Sequence, residues 1–79
     1  LAELKYIDFT YCELSNIEPI ASLQNLVSVN FSYNNISSIE PLMNIPNLQT
    51  LLLAENPLSN DAINIQILEL ESRGISVHY

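Results

Sequence analysis

Apolar residues recur along this chain with two nested periods. From Leu4 the positions read L-x-x-I-x-F-x-x-C-x-L, from Leu26 L-x-x-V-x-F-x-x-N-x-I, and from Leu48 L-x-x-L-x-L-x-x-N-x-L. Each copy follows the previous one by 22 residues, so that Leu26 answers to Leu48, Val29 to Leu51, Phe31 to Leu53, Asn34 to Asn56 and Ile36 to Leu58. The correspondence includes polar positions: Ser15, Ser37 and Ser59 share a place, as do Glu18-Pro19 and Glu40-Pro41, and Asn25 and Asn47. Self-similarity at a fixed period of this length predicts a solenoid, in which each unit buries its apolar face only against its neighbours. Alternation at Ile7 and Phe9, with Asp8 and Thr10 between and after them, predicts a short strand at the start of each copy. The second half of each copy carries Ile17, Ile20 and Leu23, then Ile36, Ile39, Leu42 and Ile45. A period of three fits a tight 3-10-like turn better than a regular α-helix. Glu18-Pro19 and Glu40-Pro41 strengthen that reading, because proline is tolerated in a first turn and a carboxylate favours its positive end.

After Leu58 the repeat breaks off. Asn60 or Asp61 is placed to cap a helix reaching Arg73, and Gly74, the chain's one glycine, stands where a left-handed residue ends it. Ile63, Ile67 and Leu70 fall on one helical face and are predicted to close the core. Ile75 to Tyr79 alternate as a final strand, with Ile75 and Val77 taking the places of Leu51 and Leu53. Ile65 and Leu68 lie off the inward face, and either an adjacent loop, the preferred reading, or another domain or subunit covers them. The units are therefore one domain over 1–79, with repeats at 4–25, 26–47 and 48–60 and a terminal segment at 61–79. Leu1 occupies the last apolar place of a preceding unit, and with no polar-faced element before Leu4 the chain reads as part of a longer array or as one that buries that end against a second copy.

The strand-and-turn pattern resembles the leucine-rich repeat family, whose consensus L-x-x-L-x-L-x-x-N/C-x-L is matched by three copies in register, Cys12 being the permitted alternative to asparagine. The 22-residue form with I-x-x-I-x-x-L on its back is similar to internalin-type repeats of bacterial surface proteins over Leu4 to Leu58. The resemblance implies an α/β solenoid: a right-handed coil with short parallel strands on the concave face, 3-10-like turns on the convex face and a C-terminal α-helix-plus-strand cap. It also implies protein–protein recognition through the concave face and an extracellular or cell-surface setting. In the repeats themselves, Asn34 and Asn56 fall where the chain leaves the strand, and an amide there can pair with unpaired backbone groups. A thiol does this poorly, so Cys12 reads as a packed structural substitute and not as a nucleophile.

Composition narrows the function further. With 79 residues, folding buries only about 60 % of the exposable surface, so the core is thin. The chain is 48 % apolar and 14 % charged with a net charge of −7, which is globular and not disordered. Lys5 and Arg73 are its only basic residues and do not cluster, so nucleic acid and anionic lipid are poor partners. Leu51 to Ala54 is the longest apolar run, too short for a bilayer span of ~20 residues. One cysteine cannot form an internal disulfide. Neither His/Cys spacing nor a glycine-rich loop offers a metal or phosphate site, His78 alone is not a catalytic arrangement, and the predicted protein is not an enzyme and needs no cofactor.

The variable strand positions are left as the place of function. They form columns: Tyr6, Ser28 and Thr50; Asp8, Asn30, Leu52 and Ser76; Thr10, Ser32, Ala54 and His78; Tyr11, Tyr33 and Glu55. Tyrosine offers a large contact area with few rotors, and Leu52 is an exposed apolar candidate for the centre of a contact. The predicted contact set is Tyr6, Asp8, Tyr11, Asn30, Tyr33, Leu52 and Glu55. Two plainer readings stand beside it: Tyr11 and Tyr33 form a solvent-facing ladder, and Leu52 is an ordinary surface leucine. Alternatives for the whole chain are a structural capping or oligomerisation segment, self-associating through the N-terminal edge, and a targeting appendage of an enzyme.

Overall fold

The structure, a computed structural model, describes residues 3–79, and the place predicted for Leu1 lies outside them. In chain order the elements are β1 (Tyr6–Asp8), a 3-10 turn (Glu18–Ser22), β2 (Ser28–Asn30), a second 3-10 turn (Glu40–Leu42), β3 (Thr50–Leu52), a π-helical stretch (Ala62–Ile67) running into α1 (Leu68–Ser72), and β4 (Ser76–His78). The strands pair in chain order and all parallel. Alternation does what the sequence requires of it: Ile7, Val29, Leu51 and Val77 turn inward, and their neighbours turn out. Proline sits in the first turn of both 3-10 segments, with Glu18 or Glu40 beside it. The core runs from Leu26, Val29 and Phe31 through Ile36, Ile39 and Leu42 to Leu51, Leu53, Ile67 and Leu70, all fully buried.

Two asparagines tie the copies together. Asn34 is buried, its Oδ1 accepts from the Cys12 and Leu14 backbone N–H groups at 2.9 and 3.0 Å, and its Nδ2 donates to the Phe9 and Phe31 carbonyls at 2.8 Å each. Asn56 repeats the device one copy on, accepting from Ile36 at 3.0 Å and donating to Phe31 and Leu53 at 2.9 and 3.0 Å. Each amide satisfies groups of its own copy and of the preceding one. Cys12 stands in the same place and reaches only the Thr10 carbonyl, at 3.5 Å. It is exposed and not packed, because the neighbour against which Asn34 and Asn56 pack has no counterpart beside β1 among the described residues.

The C-terminal segment departs from its predicted form in four ways. Its helix is π-wound over Ala62–Ile67, and the wider turn brings residues five apart onto one face, so Ala62 joins Ile67 and Leu70 in full burial while Ile63 is only half-buried. Ser59, not Asn60 or Asp61, is the cap: its Oγ accepts from the Ala62 N–H at 3.1 Å, and Asp61 already has helical dihedrals. β4 pairs Ser76 with Thr50, Val77 with Leu51 and His78 with Leu52, so the step from β3 is 26 residues where that from β2 to β3 is 22. Val77 thus takes the place of Leu51, not Leu53, because the helix and its turn absorb four extra residues. Finally, Ile65 and Leu68 are 62 % and 56 % exposed, so no loop of the described chain covers them. The helix end itself follows the sequence: Gly74 has φ +87°, and the Gly74 and Ile75 N–H groups donate to the Glu71 and Leu70 carbonyls at 3.0 and 3.2 Å, closing a Schellman turn.

What fixes this helix to the solenoid was not visible in the pattern. Gln66 accepts from the Ile39 N–H at 2.8 Å and donates to Ser38 Oγ at 3.3 Å, and Arg73 donates to the Met43 carbonyl while pairing with Glu69 at 3.0 Å. The exposed ion pair adds little by itself, whereas the Gln66 contact satisfies a backbone N–H beside the fully buried Ile39.

Candidate functional site

The outward face of the sheet carries three columns in observed register: Tyr6, Ser28, Thr50 and Ser76; Asp8, Asn30, Leu52 and His78; and, just beyond the strand ends, Tyr11, Tyr33 and Glu55. The four-residue insertion therefore moves Ser76 beside Thr50 and His78 beside Leu52, each one column from its predicted place. Leu52 is half-buried, less open than the sequence implies. Tyr6 is 69 % exposed and stands at the outer strand.

Asp8 and Asn30 have local employment. The Asp8 carboxylate accepts from both the N–H and the hydroxyl of Thr10, and Asn30 Oδ1 accepts from the Ser32 N–H at 3.0 Å. The spacings D-x-T and N-x-S are Asx-turn signatures that signal this. The hydroxyl and then the backbone of Thr10 hold the Asp8 carboxyl below its ordinary pKa of 3.8, so it is ionised at neutral pH. Each residue keeps surface for a partner, but its orientation is set by the turn.

The third column is the most ordered feature of the face. Tyr11 and Tyr33 stack with ring centroids 4.4 Å apart and planes within 11° of parallel. That spacing matches the ~4.8 Å between neighbouring strands, so the rings pile up along the direction in which strands succeed one another. Tyr11, Tyr33 and Glu55 all have left-handed backbones, with φ of 59°, 62° and 60°. A side chain in that region costs roughly 1–2 kcal/mol, which asparagine or glycine tolerates best. Sequence reasoning missed this conformation because tyrosine and glutamate carry no signal for it. Tyr11 is 71 % exposed overall, yet its neighbour shields one ring face; that loss of water, then Tyr33, then the Glu55 carboxylate raise its hydroxyl above the ordinary 10.0.

Of the seven predicted contact residues, the structure brings Tyr11, Tyr33 and Glu55 into one column and Asp8, Asn30 and Leu52 into the next, and leaves Tyr6 on the outermost strand. Among the described residues no group of three His, Cys, Asp or Glu side chains could hold a metal ion, and no helix is long and apolar enough to cross a membrane.

A four-stranded parallel sheet built from like units, with tight turns on its other side, defines a repeat solenoid. Residues 25–44 match the family model described as Leucine Rich Repeat, which supports a leucine-rich repeat in this chain. Domains of that family generally mediate protein–protein interaction and are typically non-catalytic. No curated protein and no solved structure matches the chain.

Proposed function

We propose that this chain is a non-catalytic recognition module that binds a protein or peptide across the outward sheet face, with Tyr6, Asp8, Tyr11, Asn30, Tyr33, Leu52 and Glu55 as the contact set. The exposed tyrosine stack carries the reading: two large, rigid side chains are held in register on backbones that disfavour them, and an observed backbone outlier is a pointer to function. In this reading the chain is an internalin-like array of the bacterial surface type, coiled right-handedly so that this face is concave. Residues 4–25, 26–47 and 48–60 are its repeats and 61–79 its cap, in one domain over 1–79. Four strands at ~4.8 Å give a strip about 15–20 Å wide, too small to hold the ~20–30 residues a side that a stable interface takes, so binding by this segment is weak. Peptides selected on the chain from a random display library are expected to lose binding to the combined variant Tyr11→Ala, Tyr33→Ala, Leu52→Ala. Selected peptides that bind the variant equally well would rule the sheet face out.

A second reading, association through the N-terminal edge, is favoured by a separate observation. Leu4 and Phe9 are 37 % and 36 % exposed, and an apolar cavity of about 180 Å³ opens between Phe9, Leu14, Ile17 and Ile20. Sedimentation at rising concentration tests it: self-association is expected, and a strictly monomeric chain contradicts it.

A further inference from the structure

The tyrosine column ends in an acid. Tyr11, Tyr33 and Glu55 occupy successive places of one register, and all three share the left-handed backbone that sends their side chains off the strand ends in the same way. The first two places are filled by rings 4.4 Å apart, too close for anything to enter between them. The third place lacks a ring. Tyr33 keeps 45 % of its surface open although Tyr11 covers one of its faces, and no second ring stacks on it among the described residues.

We propose that this place takes the guanidinium of a partner's arginine, stacked flat on the face of Tyr33 turned away from Tyr11 as the third rung of the ladder and paired with the Glu55 carboxylate. The assignment rests on the sheet-face reading and names the partner chemistry: an arginine-bearing peptide segment. A planar cation fits where a compact one does not, because it can lie parallel to the ring while its in-plane N–H groups point at the carboxylate. Charge favours it as well. Asp8, Glu13 and Glu55 are the charged groups in and beside these columns, and the net charge of the chain is −7. Of its two bases, Arg73 is engaged with Glu69 and Met43, and Lys5 precedes β1, whereas the column lies past the strand's other end. Among the described residues no base pairs with Glu55.

The test uses the chain itself and a short acetylated glycine/serine peptide with one central arginine, followed by NMR of the Tyr33 and Tyr11 rings and the Glu55 side chain. Saturable shifts confined to this column are expected, with little response to the same peptide carrying citrulline and a weaker one with lysine. Glu55→Gln and Tyr33→Ala should each weaken the response roughly two- to fivefold, while Tyr33→Phe keeps it. Both positions are exposed, and unchanged resonances elsewhere confirm that the variants fold. Equal shifts with citrulline, or an arginine response undiminished in Glu55→Gln, would overturn the assignment. If that happens while display-selected peptides still fail on the triple alanine variant, only the guanidinium is wrong and the sheet face stands.

Discussion

Leu4 and Leu26 hold the same place in successive copies, as do Phe9 and Phe31, yet the first of each pair keeps more than a third of its surface in water and the second keeps none. The two copies share the same apolar places, and the two phenylalanine rings even stack on each other, with centroids 6.0 Å apart. What differs is company. The middle copy has β1 on one side and β3 on the other, while among the described residues the first has a paired strand on one side only. Burial in a solenoid is thus a property of the neighbours, and the same residue letter has a different energetic weight in each copy.

The largest expected effect breaks the comparison at its core. Phe31→Ala should cost about 3–5 kcal/mol, enough to unfold much of so small a chain, whereas Phe9→Ala should cost about 1–2 kcal/mol. Urea midpoints for the two variants read the difference directly, and equal losses would mean that the first copy is as well buried as the second. A smaller effect sharpens the comparison at the asparagine place. Asn34→Ala strands the Cys12 and Leu14 N–H groups and the Phe9 carbonyl, leaves the Phe31 carbonyl to Asn56 alone, and should cost about 1–3 kcal/mol, while Cys12→Ala should stay within about 0.5 kcal/mol because its thiol spans no copies. The same denaturation series decides it.

The smallest effect concerns the one side-chain stack that joins the outer faces of the two copies. Tyr11's hydroxyl should titrate above 10.0 by phenolate absorbance, returning toward that value in Tyr33→Ala. A pKa raised by folding contributes stability that is complete below the unfolded value and lost as pH rises through the folded one. The native chain should therefore weaken with alkali in that window more than Tyr33→Ala does. An unshifted Tyr11 would dissolve the ladder.

Where the pattern is periodic, the fold was legible: Val29 and Leu51 turn inward and Pro19 and Pro41 start the back turns, as alternation and fixed φ require. Legibility fails where periodicity stops. Nothing in the letters from Ser59 to Gly74 distinguishes a π-wound turn from an α-helical one, so the pattern does not show Ala62 as core and puts β4 two residues out of register. The sequence favours a loop over Ile65 and Leu68 that the described residues do not supply, since burial of a helix's far face depends on elements the helix cannot encode. At the candidate site, tyrosine pointed to recognition, but the left-handed backbone that aligns Tyr11, Tyr33 and Glu55 came from the turn and not from those residues' own preferences.

The strand order, in which each strand pairs with the next one in the chain, also sets the route by which the molecule folds. Every pairing closes a loop of nearly the same length, 22 residues between β1 and β2 or β2 and β3 and 26 between β3 and β4, a difference of about 0.1–0.2 kcal/mol in closure entropy. Loop length therefore gives no pairing a head start. The rate is decided instead by the apolar contact each pairing brings, and β2 with β3, which closes Val29, Phe31, Leu51 and Leu53 together, brings the most. Folding should begin in the middle and add β1 and β4 outward, so that substitutions at Phe31 slow folding and those at Phe9 mainly hasten unfolding.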